Sequence, residues 1–210
     1  MSSSPRVPQR NDPLLSLAED IKNLVIKKLP NGSDNKPGLF EVDNPAHAGE
    51  FVRRVRAQTK PTITCLADVL CRAKVAKAGK TGNCGEMGAL AFAELFKLGI
   101  HPLFLVAWPW DKGDHCFVIF GTHPHQYVCD PWAGRAYRFA SIGAEMAALY
   151  QGRPPSFRDL ETIFTCLQAG SKESYKQLTA SQSADDLMDL SKDNKSPSRD
   201  GEVEPMDISY

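Results

Sequence analysis

The chain has 210 residues, and its 25 basic and 25 acidic side chains give a formal net charge of zero. This balance argues against a nucleic-acid binder that relies on a strong general positive field. The hydrophobic content of 42% is enough for one globular core, and no apolar run approaches the roughly 18–20 residues of a membrane span.

The N-terminal segment is polar and rich in serine and proline. Residues 1–13 contain three prolines and almost no large apolar side chains, a composition typical of disorder. The segment lacks the apolar core of a secretory signal peptide, so we expect reduced thiols. Either a cytoplasmic protein or an effector exported by a specialised secretion system fits this start. The six cysteines include no Cys-x-x-Cys pair, which argues against a zinc ribbon.

Three helices are predicted before the most informative stretch. Apolar residues at helical spacing place them at residues 14–29, 45–58 and 64–78. Asp12 or Ser16 can cap the first of them. The second carries a basic cluster of Arg53, Arg54 and Arg56. We interpret this cluster as a solvated face rather than a docking surface.

A single cysteine, Cys84, stands at the predicted start of the fourth helix. Asn83 is a good cap, Glu86 can complete a capping box with it, and Gly99 can end the helix. The first turn of a helix has N–H groups without an intrahelical partner and the positive end of the helix dipole. Both favour a thiolate, and the same N–H groups can hold a developing oxyanion. The predicted buried face comprises Met87, Leu90, Ala91, Leu95 and Leu98.

A predicted β-hairpin within residues 114–130 supplies a base and a carboxylate. Two segments with strand composition flank residues 121–124, which are typical of a turn. With the turn centred directly after Thr122, His115 faces Asp130, and their Cβ atoms are expected to be roughly 4.5–5.5 Å apart. This spacing suits a carboxylate that orients an imidazole. The chain therefore offers a nucleophile, a base and an orienting group.

Two tryptophans near the hairpin are candidates for the walls of a substrate cleft. Residues 102–108 predict a strand buried on both faces, and the following loop, 109–114, contains Trp110. Trp132 comes directly after the second strand of the hairpin. Aromatic side chains serve both in clefts and in cores, so both roles remain open for this pair.

The C-terminal part is predicted to contain less regular structure. We expect a strand at residues 134–139, a helix at 141–150 and a last helix at 156–167. Beyond residue 170 the chain is polar and mixed in charge, which is typical of disorder. The expected organisation is a disordered segment 1–13, a catalytic domain 14–170 and a disordered tail 171–210.

A metal site is the main rival chemistry, because histidines, cysteines and an aspartate lie close together along the hairpin. Strand alternation places Cys116 and Cys129 on the face opposite His115 and Asp130. No face collects four ligands in a zinc-like pattern. We therefore expect no metal and no cofactor, and we interpret the two hairpin cysteines as reduced packing residues.

These motifs resemble the catalytic core of the transglutaminase-like superfamily, a branch of the papain-like cysteine enzymes. The resemblance rests on a Gly-x-Cys sequence opening a helix that ends in Leu-Gly-Ile, a strand that begins with His115, and the stretch Val-Cys-Asp-Pro-Trp at residues 128–132. It implies an α+β fold in which N-terminal helices and the nucleophile-bearing helix pack on an antiparallel sheet. It also implies a triad of Cys84, His115 and Asp130 that attacks an amide or ester carbonyl.

The chain is similar, more narrowly, to bacterial effector deamidases and cysteine proteases. This resemblance implies glutamine deamidation of a protein through a thioester, by a monomer delivered into the host cytosol and acting on a host protein. A cysteine protease is the alternative, followed by a transglutaminase and by a non-catalytic binding module. Candidate oxyanion and substrate contacts are Asn83, Trp110 and Trp132. Papain-like enzymes often place a glutamine shortly before the cysteine, whereas this chain has Ala78, Gly79 and Lys80 there, which leaves the second oxyanion donor unassigned.

Overall fold

Five strands in the described part of the chain pair into one antiparallel sheet. The computed structural model describes residues 12–35, 45–110, 113–149 and 160–180. The sheet has the strand order β4-β3-β2-β1-β5. The elements are α1 (Pro13–Lys28), α2 (Pro45–Ala57), α3 (Leu66–Gly79), α4 (Cys84–Lys97), β1 (Leu103–Trp110), β2 (Gly113–Thr122), β3 (His125–Asp130), β4 (Arg135–Arg138), α5 (Ile142–Leu149), β5 (Glu161–Cys166) and α6 (Lys172–Leu178). The predicted α+β class is confirmed.

Helix α4 is the centre of the main core. Every residue from Glu86 to Phe96 is buried, because this segment is almost entirely small or apolar and can be enclosed on all sides. Helices α1 and α3 and the inner side chains of the sheet surround it in one continuous cluster. On the other face of the sheet, α5 packs over a second cluster that includes Trp108 and Phe117. No helix in the described ranges is long and apolar enough to cross a membrane.

Both ends of α4 follow the local signals of the sequence. At its start, the backbone N–H of Asn83 donates to Glu86 Oε2 at 3.0 Å. At its end, Gly99 adopts a left-handed φ of 75° and donates to the carbonyl of Phe96 at 3.0 Å. Ile100 donates to the carbonyl of Leu95 at 3.2 Å, which completes a Schellman motif. The predicted boundaries of this helix are therefore confirmed.

The register of the β2–β3 hairpin differs from the prediction by two residues. Thr122 pairs with His125 and Val118 with Cys129, so the turn is centred between His123 and Pro124. Proline has no N–H to contribute to a ladder, and the observed register places it in the turn. A shift of two residues keeps every side chain on its predicted face, whereas a shift of one would reverse the faces.

A strand replaces the last predicted helix. Residues 156–167 were expected to be helical, but β5 occupies Glu161–Cys166 and pairs with β1, with Cys166 opposite Leu103. The segment Thr-Ile-Phe-Thr at 162–165 consists of β-branched and aromatic residues, which favour a strand at an available sheet edge. The loop predicted at 109–114 is also shorter than expected, because β1 runs to Trp110 and β2 begins at Gly113.

Helix α6 lies inside the segment that was predicted to be a disordered tail. Ser171 caps this helix by accepting a hydrogen bond from the N–H of Ser174 at 3.0 Å. The ammonium of Lys97 lies 3.8 Å from the ring centroid of Tyr175, which holds α6 against α4 by a cation–π contact. Residues 181–210 lie outside the described part, as do residues 1–11 of the predicted N-terminal disordered segment.

The first helix is fastened to the edge of the sheet through its cap. Asp12 accepts from the N–H of Leu15 at 3.3 Å, which confirms it as the cap, and Pro13 occupies the first turn. The same carboxylate accepts from the hydroxyl of Tyr127 at 2.9 Å and from Arg138 Nη2 at 2.7 Å. These contacts connect the start of α1 to β3 and β4.

Leu95 and Leu98 provide a matched test of this packing. Leu95 is completely buried, whereas Leu98, predicted to lie on the same face, is 54% exposed because it follows the last helical residue. We expect Leu95→Ala to lower the free energy of unfolding by about 2–5 kcal/mol. Leu98→Ala should change it by less than about 0.5 kcal/mol. Urea unfolding followed by circular dichroism measures both, and equal losses would contradict the described core.

Candidate active site

The site contains a buried histidine–aspartate pair. His115 Nε2 lies 2.6 Å from Asp130 Oδ2, and the two residues are 2% and 0% exposed. Both lie beyond the last ladder pair of β2 and β3, Val118 with Cys129, and are diagonal rather than directly opposed. The second carboxylate oxygen of Asp130 accepts from the N–H of Ala133 at 2.9 Å. The carboxylate is therefore held from two sides and fixes the orientation of the imidazole.

Cys84 completes the constellation from the first turn of α4. It is 7% exposed, and its thiol and the His115 ring are hydrogen-bond partners. Because Nε2 of the ring is engaged by Asp130, Nδ1 is the ring nitrogen left available for Cys84. The structure thus brings the three predicted catalytic residues together, although the predicted register between two of them was wrong.

The electrostatics of His115 favour an imidazolium ion. Burial disfavours the charged ring, but the Asp130 carboxylate and Cys84 outweigh that effect and raise the pKa of His115 to about 9. A protonated histidine beside a cysteine is the arrangement in which a thiolate is stabilised by an ion pair. The same ring then holds a proton that can be given to a leaving group.

Trp132 covers the imidazole of His115. The two ring centroids are 4.9 Å apart with an interplanar angle of 49°. The indole N–H donates to Asn35 Oδ1 at 2.8 Å, and the hydroxyl of Ser33 lies 2.6 Å from the same oxygen. Trp132 is therefore anchored at the site, whereas the side chain of Trp110 lies outside the described part of the structure.

Asn83 is held within the same polar network. Its Oδ1 lies 2.7 Å from the hydroxyl of Ser33, and Asn83 is 5% exposed. The network therefore runs from the cap of the nucleophile helix through Ser33 and Asn35 to Trp132. Sequence reasoning missed Ser33 and Asn35, since no local pattern connects them to residues 50 and 97 positions away. The candidate role of Asn83 as an oxyanion donor stays a prediction.

A second buried carboxylate lies in the first turn of α4. Glu86 is 2% exposed and pairs with Arg56 of α2, whose Nε and Nη2 atoms lie 3.1 and 3.3 Å from its two oxygens. Arg56 does lie on a solvated face, since 54% of its side chain is exposed, but its guanidinium also pairs with the buried carboxylate of Glu86. Arg54 pairs with Glu50 on the same helix. Gly82 must remain a glycine here, because a Cβ would lie 2.4 Å from the Cβ of Glu86.

In the described hairpin, the other histidines and cysteines do not form a metal site with His115. Within the described residues, no group of three or more histidine, cysteine or acidic side chains is arranged to hold a metal ion. Cys116 and Cys129 lie in the main core as thiols rather than as a disulfide, and burial raises the pKa of Cys129 strongly. His123 and His125 are exposed at the hairpin turn.

Two comparisons with known proteins identify no relative of this chain. A scan against protein-family models gives no match, and a search of curated proteins gives none either. The chemistry of the site must therefore be argued from its own geometry.

The pKa of His115 gives a direct test of the histidine–aspartate pair. We expect Asp130→Asn to lower it from about 9 to about 6.5 or below, because burial then opposes the charge without a carboxylate to offset it. In the wild type, the proton on His115 contributes stability that is complete below pH 6.5 and is lost as the pH rises through 9. This part of the pH dependence should be absent in the variant. NMR titration of the imidazole signals, with exposed His125 as internal reference, measures the change, and an unaltered midpoint would contradict the pairing.

Proposed function

We propose that this chain is a cysteine-dependent acyl-transfer enzyme that acts on protein amides, and that its reaction is glutamine deamidation. The observation that carries the proposal is a buried imidazole that pairs with Asp130 through Nε2 and is also a hydrogen-bond partner of Cys84. A nucleophile, a base and an orienting carboxylate in this sequence of contacts constitute a catalytic triad. We extend the proposal to the papain-like and transglutaminase-like fold that the sequence motifs resemble.

The first half of the proposed reaction forms a thioester. The Cys84 thiolate attacks the side-chain carbonyl carbon of a substrate glutamine, and the carbonyl oxygen takes the negative charge. The backbone N–H groups of the first turn of α4 are the expected donors to that oxygen. The His115 imidazolium gives its proton to the amide nitrogen, the C–N bond breaks, and ammonia leaves.

The second half hydrolyses the thioester. Neutral His115 takes a proton from water, the resulting hydroxide attacks the thioester carbonyl, and the C–S bond breaks to regenerate the thiolate and the imidazolium. Formation of the thioester removes the negative charge of Cys84, which is one of the groups that raise the pKa of His115. Acylation therefore makes the ring a better base at the step that needs one.

The limited opening at the nucleophile supports deamidation over cleavage of a backbone. Cys84 is 7% exposed and Trp132 covers the catalytic ring, so the target carbonyl must be presented by a slender group. A glutamine side chain carries its amide at the end of two methylene groups and meets this requirement. A peptide bond brings main chain on both sides of the carbonyl and requires a more open groove.

Measurement of ammonia release and of mass tests the proposal. Host-cell proteins are incubated with wild-type protein, with Cys84→Ala and with Cys71→Ala, a control that removes a half-buried thiol of α3. We expect the wild type and the control to convert glutamine to glutamate, with a gain of about 1 Da per site, and the Cys84 variant to lose the activity by several orders of magnitude.

Other outcomes assign the site differently. Cys84-dependent fragments would identify the alternative, a cysteine protease, and a product with the summed mass of two proteins would identify a transglutaminase. Equal behaviour of all three proteins, without any product, would leave a non-catalytic binding module.

A further inference from the structure

The negative charge of the Glu86 carboxylate would, by itself, disfavour the thiolate of Cys84. Glu86 lies in the same helical turn as Cys84, is 2% exposed, and accepts the N–H of Asn83 at 3.0 Å. An uncompensated negative charge at this position would oppose both the thiolate and the developing oxyanion, because charges interact strongly where water is excluded. It would also weaken the positive potential that the start of α4 provides.

Arg56 supplies the compensating charge from another element. Its Nε lies 3.1 Å from Glu86 Oε1 and its Nη2 lies 3.3 Å from Glu86 Oε2, which is a bidentate arrangement. Burial disfavours the charged guanidinium, but Glu86, followed by Cys84 and Asp34, raises the pKa of Arg56. Cys84 is therefore among the groups close enough to Arg56 to act on its guanidinium.

We propose that Arg56 is a positioning residue of the catalytic site, which keeps the start of α4 receptive to the Cys84 thiolate by neutralising Glu86. The proposal rests on the proposed function, because it requires Cys84 to react as a thiolate. A glutamine at position 86 would also serve in a capping box, so capping alone does not require the buried charge. The ion pair instead links the position of α2 to the reactivity of Cys84 in α4, although Arg56 and Glu86 are 30 residues apart along the chain.

The Arg56 and Glu86 variants leave the other charged groups around Cys84 unchanged. His115 and, behind it, Asp130 face the thiol from the sheet. Asp34 lies near Arg56, and Arg72 of α3 lies close to Gly85 while it donates to the carbonyls of Lys60 and Pro61. A shift that depends on both Arg56 and Glu86 can therefore be assigned to their pair.

The test measures the rate at which Cys84 is alkylated by iodoacetamide as a function of pH. Mass spectrometry of the peptide that contains Cys84 separates it from the other cysteines, and exposed Cys65 serves as an internal reference. We expect Arg56→Gln to move the midpoint of the profile upward by about one pH unit, which lowers the rate about tenfold at pH values well below the wild-type midpoint. Arg56→Lys should retain most of the wild-type behaviour, since it keeps the charge.

Two further variants separate charge from structure. Glu86→Gln alone should move the midpoint downward, because Arg56 is then no longer offset. The double variant Arg56→Gln/Glu86→Gln should return it close to the wild-type value. Arg54→Gln is the matched control on the same helix, since Arg54 pairs with exposed Glu50, and we expect no shift.

The outcomes distinguish failure of this inference from failure of the proposed function. A wild-type profile with a midpoint below that of Cys65, unchanged in folded Arg56→Gln and in Glu86→Gln, would overturn the role of Arg56 alone. A wild-type Cys84 that reacts like an ordinary thiol would overturn the proposed function and this role together. If Arg56→Gln does not fold, an unshifted Glu86→Gln profile still refutes the inference.

Discussion

The contact between His115 and Asp130 is the interaction on which the rest of the site depends. His115 Nε2 and Asp130 Oδ2 lie 2.6 Å apart, and both residues are almost wholly shielded from water. Burial alone would leave the imidazole neutral, and the carboxylate reverses that preference. Removal of one partner of a buried ion pair commonly costs about 3–5 kcal/mol, because the other charge is left uncompensated. The same pair therefore supports the end of the hairpin and sets the protonation state of the ring.

Helix α4 joins the chemistry to the core. Its first residue is Cys84, and the enclosed segment from Glu86 to Phe96 allows the helix little freedom to move. Because the thiol is attached to a helix that is buried over most of its length, its position relative to the sheet is fixed by packing rather than by a surface loop. The cost is that polar groups at the helix start must be satisfied internally, and the pairs of Glu86 with Asn83 and Arg56 do this.

The features that the sequence predicts well are those with local causes. The boundaries of α4 depend on a capping box and a glycine within a few residues, and the faces of His115 and Asp130 depend on strand alternation. The observed hairpin register differs by two residues because the turn is centred between His123 and Pro124, and β5 has no local signal of its pairing because its partner strand lies far away in sequence. Arg56, Ser33 and Asn35 carry no local signal, since each reaches the site only through tertiary contacts.

The residues of the proposed triad come from separate parts of the chain. Cys84, His115 and Asp130 come from a helix and two strands, and the groups that tune them come from α2 and from the segment before it. Cys84, His115 and Asp130 are not held together in an unfolded chain. The unfolded polypeptide therefore lacks the arrangement of Cys84, His115 and Asp130 on which the proposed reaction depends, so the proposed reactivity of Cys84 requires completed tertiary structure.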